Sequence, residues 1–205
     1  RQSEAIALLE RLRAERPEDR ELRTYLGGVY ATAGRVEDAR RLLDAALADN
    51  PDDFDATMHL ATALLFAEAY ADADRRVERA LALRPGSADA IRLRGVIAWR
   101  TGQLADARRW LESAAAADPR DARALSWVGT IAREQRRTAE ALDAFHRSLA
   151  RDPLLVDALV GGTLAAIDAG ATADAARWLA RVKRIAPGDA RVAELERRVT
   201  AGGRT

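Results

Sequence analysis

The chain has 205 residues, enough to bury a sizeable core, and helix-forming alanine, leucine, arginine and glutamate dominate while aromatic residues reach only 5%. Its 33 basic and 32 acidic side chains leave a net charge of +1, which gives no electrostatic case for nucleic acid or an anionic membrane as partner. Cysteine is absent, excluding disulfides and thiolate metal sites, and no run approaches the ~18 apolar residues of a membrane span.

Internal repetition decides the architecture. All six prolines, Pro17, Pro51, Pro85, Pro119, Pro153 and Pro187, lie 34 residues apart. Ala5, Ala39, Ala73, Ala107, Ala141 and Ala175 form an all-alanine column at the same period. Four residues on, Leu9, Leu43, Val77, Leu111, Phe145 and Leu179 form a large apolar column, and Gly27, Ala61, Gly95, Gly129 and Thr163 a column of small residues. Small residues let helix axes approach to about 8–10 Å, and the large ones fill the space beside them.

In chain order, residues 1–19 read as the second helix of a truncated first repeat. Its face Ile6, Leu9 and Leu12 is expected to seek an upstream neighbour, in a longer chain or in a second copy. In the repeat at 20–53, Leu22, Leu26, Val29 and Tyr30 recur at helical spacing up to Gly34. A second series, Val36, Ala39, Leu43, Ala46 and Leu47, ends before Pro51, because proline is costly inside a helix. Repeats follow at 54–87, 88–121, 122–155 and 156–189, then a C-terminal capping helix at 190–200 with the stripe Val192, Leu195 and Val199, and a tail at 201–205. All belong to one expected solenoid domain. Arg94 occupies a position that is Leu26, Leu60 or Val128 elsewhere, so a burial partner is required. Gly161 and Gly162 sit mid-helix, each costing roughly 1 kcal/mol relative to alanine, which marks the fifth repeat as a weak point.

Leu26-Gly27-x-x-Tyr30, Ala39, Leu43, Ala46 and Pro51 resemble the tetratricopeptide repeat, and the resemblance spans nearly the whole chain. It departs from the family at the early tryptophan, replaced by Arg23, Thr57, Ile91, Leu125 and Leu159, and the tyrosine survives only as Tyr30. The resemblance implies an all-α, right-handed superhelical solenoid of antiparallel helix pairs, with first helices lining a concave groove that holds a protein or peptide. Helical spacing then gives the residues expected on that face: Met58, Thr62 and Leu65; Arg92, Val96 and Trp99; Ser126, Thr130 and Arg133; Val160, Leu164 and Ile167. Leu65, Phe66, Val96 and Trp99 are candidates for an apolar pocket, with Arg92, Arg100 and Arg133 as readers of carboxylates. The competing reading is that part of this stripe packs neighbouring first helices together. Trp110 and Trp178 read as packing residues, and Trp127 suits either role.

Two family specialities are not matched. The clamp that grips chaperone C-terminal carboxylates has Thr24, Gly28, His59, Asp89 and Leu93 at its positions, and an asparagine ladder is ruled out because Asn50 stands alone. His59 and His146 lie on different repeats without metal-ligand spacing, and Asp49, Asp52 and Asp53 read as turn-solvating and capping residues. No nucleophile, base and oxyanion site assembles, so the chain reads as a non-enzyme without cofactor or metal. The expected function is a protein-interaction scaffold in a bacterial assembly or secretion machinery. Its rivals are the recognition domain of a larger enzyme of glycosyltransferase or sulfotransferase type, and a self-assembling scaffold associating through the N-terminal helix. The arginine bias, with Lys183 the only lysine, fits a high-GC bacterial genome. A soluble cytoplasmic or periplasmic setting suits the sequence equally.

Overall fold

A computed structural model describes residues 2–202. Among the described residues there are twelve helices and no strand: α1 (Gln2–Glu15), α2 (Arg20–Thr32), α3 (Val36–Asp49), α4 (Phe54–Phe66), α5 (Tyr70–Leu83), α6 (Ala88–Arg100), α7 (Leu104–Ala117), α8 (Ala122–Glu134), α9 (Thr138–Arg151), α10 (Val156–Asp168), α11 (Thr172–Ile185) and α12 (Val192–Gly202). First helices run 13 residues and second helices 14, repeat after repeat.

The 34-residue period is written into both ends of the first helices. Asp19, Asp53, Ser87 and Asp121 each stand at an N-cap and accept a hydrogen bond from the backbone N–H three residues on, at 3.0, 2.9, 3.2 and 3.3 Å. Leu155 takes the same place before α10 without a side-chain cap. It packs against the core instead. At the other end, the residues after each first helix, Gly34, Glu68, Gly102, Arg136 and Gly170, all have φ between 58° and 78°. The next N–H folds back across each turn, as from Arg35 to Tyr30 O at 2.9 Å and from Arg137 to Ala132 O at 2.9 Å. This left-handed closure satisfies the last carbonyls of the helix and reverses the chain into its partner helix. Between repeats, Asn50, Asp118 and Asp152 accept from the N–H two residues on, a local turn suited to the prolines that follow them.

The helices fall into two compact units, residues 1–103 and 104–205, and the division passes through the turn inside the 88–121 repeat. The alanine column is buried in every complete repeat, at Ala39, Ala73, Ala107, Ala141 and Ala175. In the first unit Leu26, Tyr30, Leu43, Leu60, Val77 and Ile97 share one core. In the second, Phe145, Leu159, Trp178, Val182 and Leu195 do so. The capping stripe is in place, with Leu195 buried and Val192 and Val199 packed beside it. Helix α12 extends through Ala201 and Gly202, two residues expected in the tail, and the rest of that tail, 203–205, lies outside the described residues.

The face of α1 differs from expectation. Ile6 is buried and Leu9 packs on the first-unit core, so this pair faces downstream onto α2. The residue left in water is Leu8, 58% exposed, with Ala5 exposed beside it. Their equivalents Leu42 and Ala39 are buried where a first helix packs on the second.

Arg94 reaches back to α5, where its Nε lies 3.4 Å from Asp74 Oδ1 while its stem stays half-buried. The glycine pair of α10 is occupied by neighbours. A Cβ on Gly161 would stand 2.6 Å from the Phe145 ring and one on Gly162 2.9 Å from Trp178. The two largest side chains of the second core are seated by the absence of side chains there.

Candidate partner-binding surface

In the first unit, three first-helix columns stand side by side. Glu21, Asp55 and Asp89 form a carboxylate column; Thr24, Met58 and Arg92 a mixed one; Tyr25, His59 and Leu93 the third. A hollow of about 780 Å3 opens among Asp19, Glu21, Tyr25, Asn50, Asp55 and His59, bounded by α2, α4 and the end of α3. Tyr25 is 60% exposed at its wall. Glu21 and Asp55 make no ion pair with any described residue. Asp53 is already committed: Oδ1 accepts from Ala56 N and Oδ2 from Thr24 Oγ1 at 3.4 Å. His59 lies against Gly28, where a Cβ would come within 2.6 Å of its ring. Burial pushes the His59 imidazole below its ordinary pKa, with Asp55 and Asp53 opposing, so the neutral ring is favoured.

The residues singled out by helical spacing divide between the units. Met58 and Leu65 are half-buried and pack against the first-unit core, whereas Phe66 is 53% exposed. Val96 is buried, and Trp99 is half-buried with the Arg100 guanidinium 5.7 Å from its ring centre. Arg92 is paired with Asp89 of its own helix. In the second unit, Arg133 donates from Nε to Asp168 Oδ2 at 2.9 Å, and Arg198 also reaches Asp168, at 3.2 Å. Two of the three guanidiniums expected to read a partner's carboxylates therefore already hold the chain's own. Leu164 and Ile167 pack against the second-unit core. Trp178 is fully buried beside Gly162, and Trp110 and Trp127 are half-buried. Sequence reading passed over Tyr25, which lies outside every stripe that helical spacing selected. Its signal was a large aromatic side chain one residue from the buried Leu26.

Asp49, Asp52 and Asp53 do not converge: Asp49 holds Arg23 at 2.6 Å, Asp52 holds Arg79, and Asp53 caps α4. Among the described residues no group of three or more potential ligands could hold a metal ion. No described helix is long and apolar enough to cross a membrane.

Turns of one conformation recurring every 34 residues, with a buried alanine at the same place in each complete repeat, define a helical repeat protein. The sequence matches the tetratricopeptide repeat over residues 3–65, 58–122 and 128–190, and the chain belongs to that family. Its members are generally non-enzymatic scaffolds, and membership supports a protein–protein interaction scaffold as the broad class of this chain. No curated protein matches the sequence. Similar solved structures include that from "Functional Characterization of Pseudomonas Aeruginosa pilF", with TM-score 0.75 and 21% identity over 91% of this chain and 85% of that one. TTC0263, a thermophilic tetratricopeptide repeat protein of Thermus thermophilus, gives TM-score 0.75 and 20% identity over 91% of this chain and 100% of that one. YrrB, described as having an unusual peptide-binding site, gives TM-score 0.57 and 19% identity over 92% and 97%. At these identities the likeness is one of fold.

Proposed function

We propose that the first-helix faces hold a segment of a partner protein, and that the hollow beside Tyr25 is the principal seat for it. The observation carrying this reading is the combination found there: a recess of about 780 Å3, a largely exposed aromatic ring and two carboxylates without ion pairs. Exposed aromatic rings are the usual anchors of interfaces, and unpaired carboxylates in a recess favour a segment carrying lysine or arginine. Phe66, Trp99 and Arg100 would extend the contact along the same unit, and the half-buried Leu164 and Ile167 would serve in the second. The setting that fits best is a bacterial assembly or secretion scaffold, given the arginine-rich composition and the bacterial proteins of similar fold.

Affinity capture followed by mass spectrometry would name the partner, and titration calorimetry of that partner tests the site. Tyr25→Ala and Trp99→Ala should each weaken binding by about 2 kcal/mol while leaving helicity unchanged. Full affinity in the Tyr25→Ala protein rules the hollow out.

A second reading has its own observation. Leu8 and Ala5 leave an apolar strip of α1 in water where the equivalent residues of later repeats are covered. Self-association through that strip would make apparent mass rise with concentration in light scattering, and Leu8→Glu would abolish the rise. A strict monomer at every concentration excludes it.

A further inference from the structure

Away from the hollow, second helices α3 and α5 flank a groove of about 400 Å3 floored by Leu60 and Leu64 of α4. Its walls carry four arginines, Arg40, Arg75, Arg76 and Arg79, against two carboxylates, Asp44 and Asp72. The second unit repeats this groove 68 residues on, between α7 and α9 over α8, and supplies an internal comparison. There the walls hold three arginines and three carboxylates, and each arginine is engaged. Arg108 bridges Glu112 at 2.8 Å and Glu140 at 2.7 Å, Arg147 reaches Asp143 at 3.4 Å, and Arg151 donates to the Asp121 carbonyl at 3.3 Å. That groove is neutralised from within.

The first-unit groove is not. Arg75 and Arg79 pair with Asp72 and Asp52, and Arg40 touches Glu37 at 3.9 Å on the rim. Arg76 makes no ion pair with any described residue, although it is half-buried. Its place in the repeat is otherwise apolar: Leu42, Ala144 and Trp178 are buried there, and Trp110 half-buried. Packing alone would be served by any of those. A guanidinium removed from part of its hydration without a counter-charge is instead a site waiting for an anion.

We propose that this groove docks an acidic segment of a partner protein, its carboxylates engaging Arg76 and Arg40 and an intervening aliphatic side chain lying on the Leu60–Leu64 floor. The excess of arginine selects the charge, and the leucine floor selects a polypeptide over a small inorganic anion. This site is independent of the one proposed above: it lies on second helices and takes a ligand of opposite charge.

The test is fluorescence polarisation of the 205-residue chain with a fluorescein-labelled peptide of alternating glutamate and leucine. Binding should weaken by about tenfold or more between 50 and 300 mM salt, as expected for partly exposed charge pairs. Arg76→Leu, which restores the residue type of the equivalent Leu42 and so preserves the fold, should lower affinity at least about tenfold. Asp44→Asn, which removes a competing carboxylate from the wall, should raise it. Arg109→Ala, the loss of one exposed arginine outside the groove, should change nothing. Equal binding of the glutamine-for-glutamate peptide, displacement of the peptide by millimolar orthophosphate, or unchanged affinity in the Arg76→Leu protein would each overturn the proposal.

Discussion

Tyr30 shows how one side chain ties elements together. Its hydroxyl donates to Glu10 of α1 at 2.6 Å, and Arg35, from the turn after α2, lies 4.2 Å above its ring and 3.1 Å from the same carboxylate. Burial first, and the bond to Glu10 second, push the Tyr30 phenol up to about 12 from its ordinary 10.0. The sign follows from linkage: the folded state holds the proton more tightly, so this stabilisation is complete below pH 10 and is lost as pH rises to about 12. Tyr30→Phe should therefore be less stable than wild type at neutral pH, with the gap closing across that interval. A constant gap in urea denaturation series from pH 8 to pH 12 would contradict the assignment. Gly161 supplies a second test. Helix propensity alone predicts that Gly161→Ala gains roughly 1 kcal/mol. Yet the new Cβ would meet the Phe145 ring at 2.6 Å, and the ring's other side rests on Gly129, where a Cβ would lie at 2.9 Å. With no room to retreat, overpacking of about 1–3 kcal/mol wins, and the variant should be net destabilised. Its midpoint in thermal melts would fall, not rise.

At the scale of the element, the period makes each turn an experiment repeated five times. Three closures use glycine, whereas Glu68 and Arg136 adopt the left-handed conformation with φ of 59° and 58°. Side chains are disfavoured there by about 1 kcal/mol, part of which glycine gives back through its freer unfolded chain. Glu68→Gly should thus stabilise the protein by a few tenths to about 1 kcal/mol, and Gly34→Ala should destabilise it by about 1 kcal/mol. Destabilisation by Glu68→Gly in equilibrium denaturation would show that its side chain has a compensating role. Helix pairing and turn positions were legible in the sequence because a 34-residue column forces the same local chemistry on every copy. The chemistry of the surface was not, because it depends on neighbours from other copies. Asp74, which answers Arg94, stands in the preceding repeat 20 residues away. Asp168, which occupies Arg133, is 35 residues distant. Helical spacing alone grouped Ile6, Leu9 and Leu12 on one face of α1, but spacing carries no information on which neighbour covers a face, and the upstream orientation expected for it is reversed at Ile6 and Leu9.

At the scale of the molecule, each unit has its own cluster of large buried side chains, gathered where neighbouring hairpins of that unit pack together. In such arrays stability is close to a sum of repeat terms and nearest-neighbour interfaces, so damage stays local. Phe145 is the sharpest place to strike: fully buried on α9, it meets Gly129 of α8 and Gly161 of α10. Phe145→Ala should cost about 3–5 kcal/mol at the site. Amide hydrogen exchange should then accelerate across α8, α9 and α10 while α2, α3 and α4 keep their protection. Leu43→Ala, which empties the equivalent column against Gly27 in the first unit, should produce the mirror result, loosening α2, α3 and α4 and sparing α8, α9 and α10. Uniform acceleration from either substitution would mean that the chain opens as a single cooperative body. Local loss would mean that the first unit's own packing holds the Tyr25 hollow and the Arg76 groove in shape.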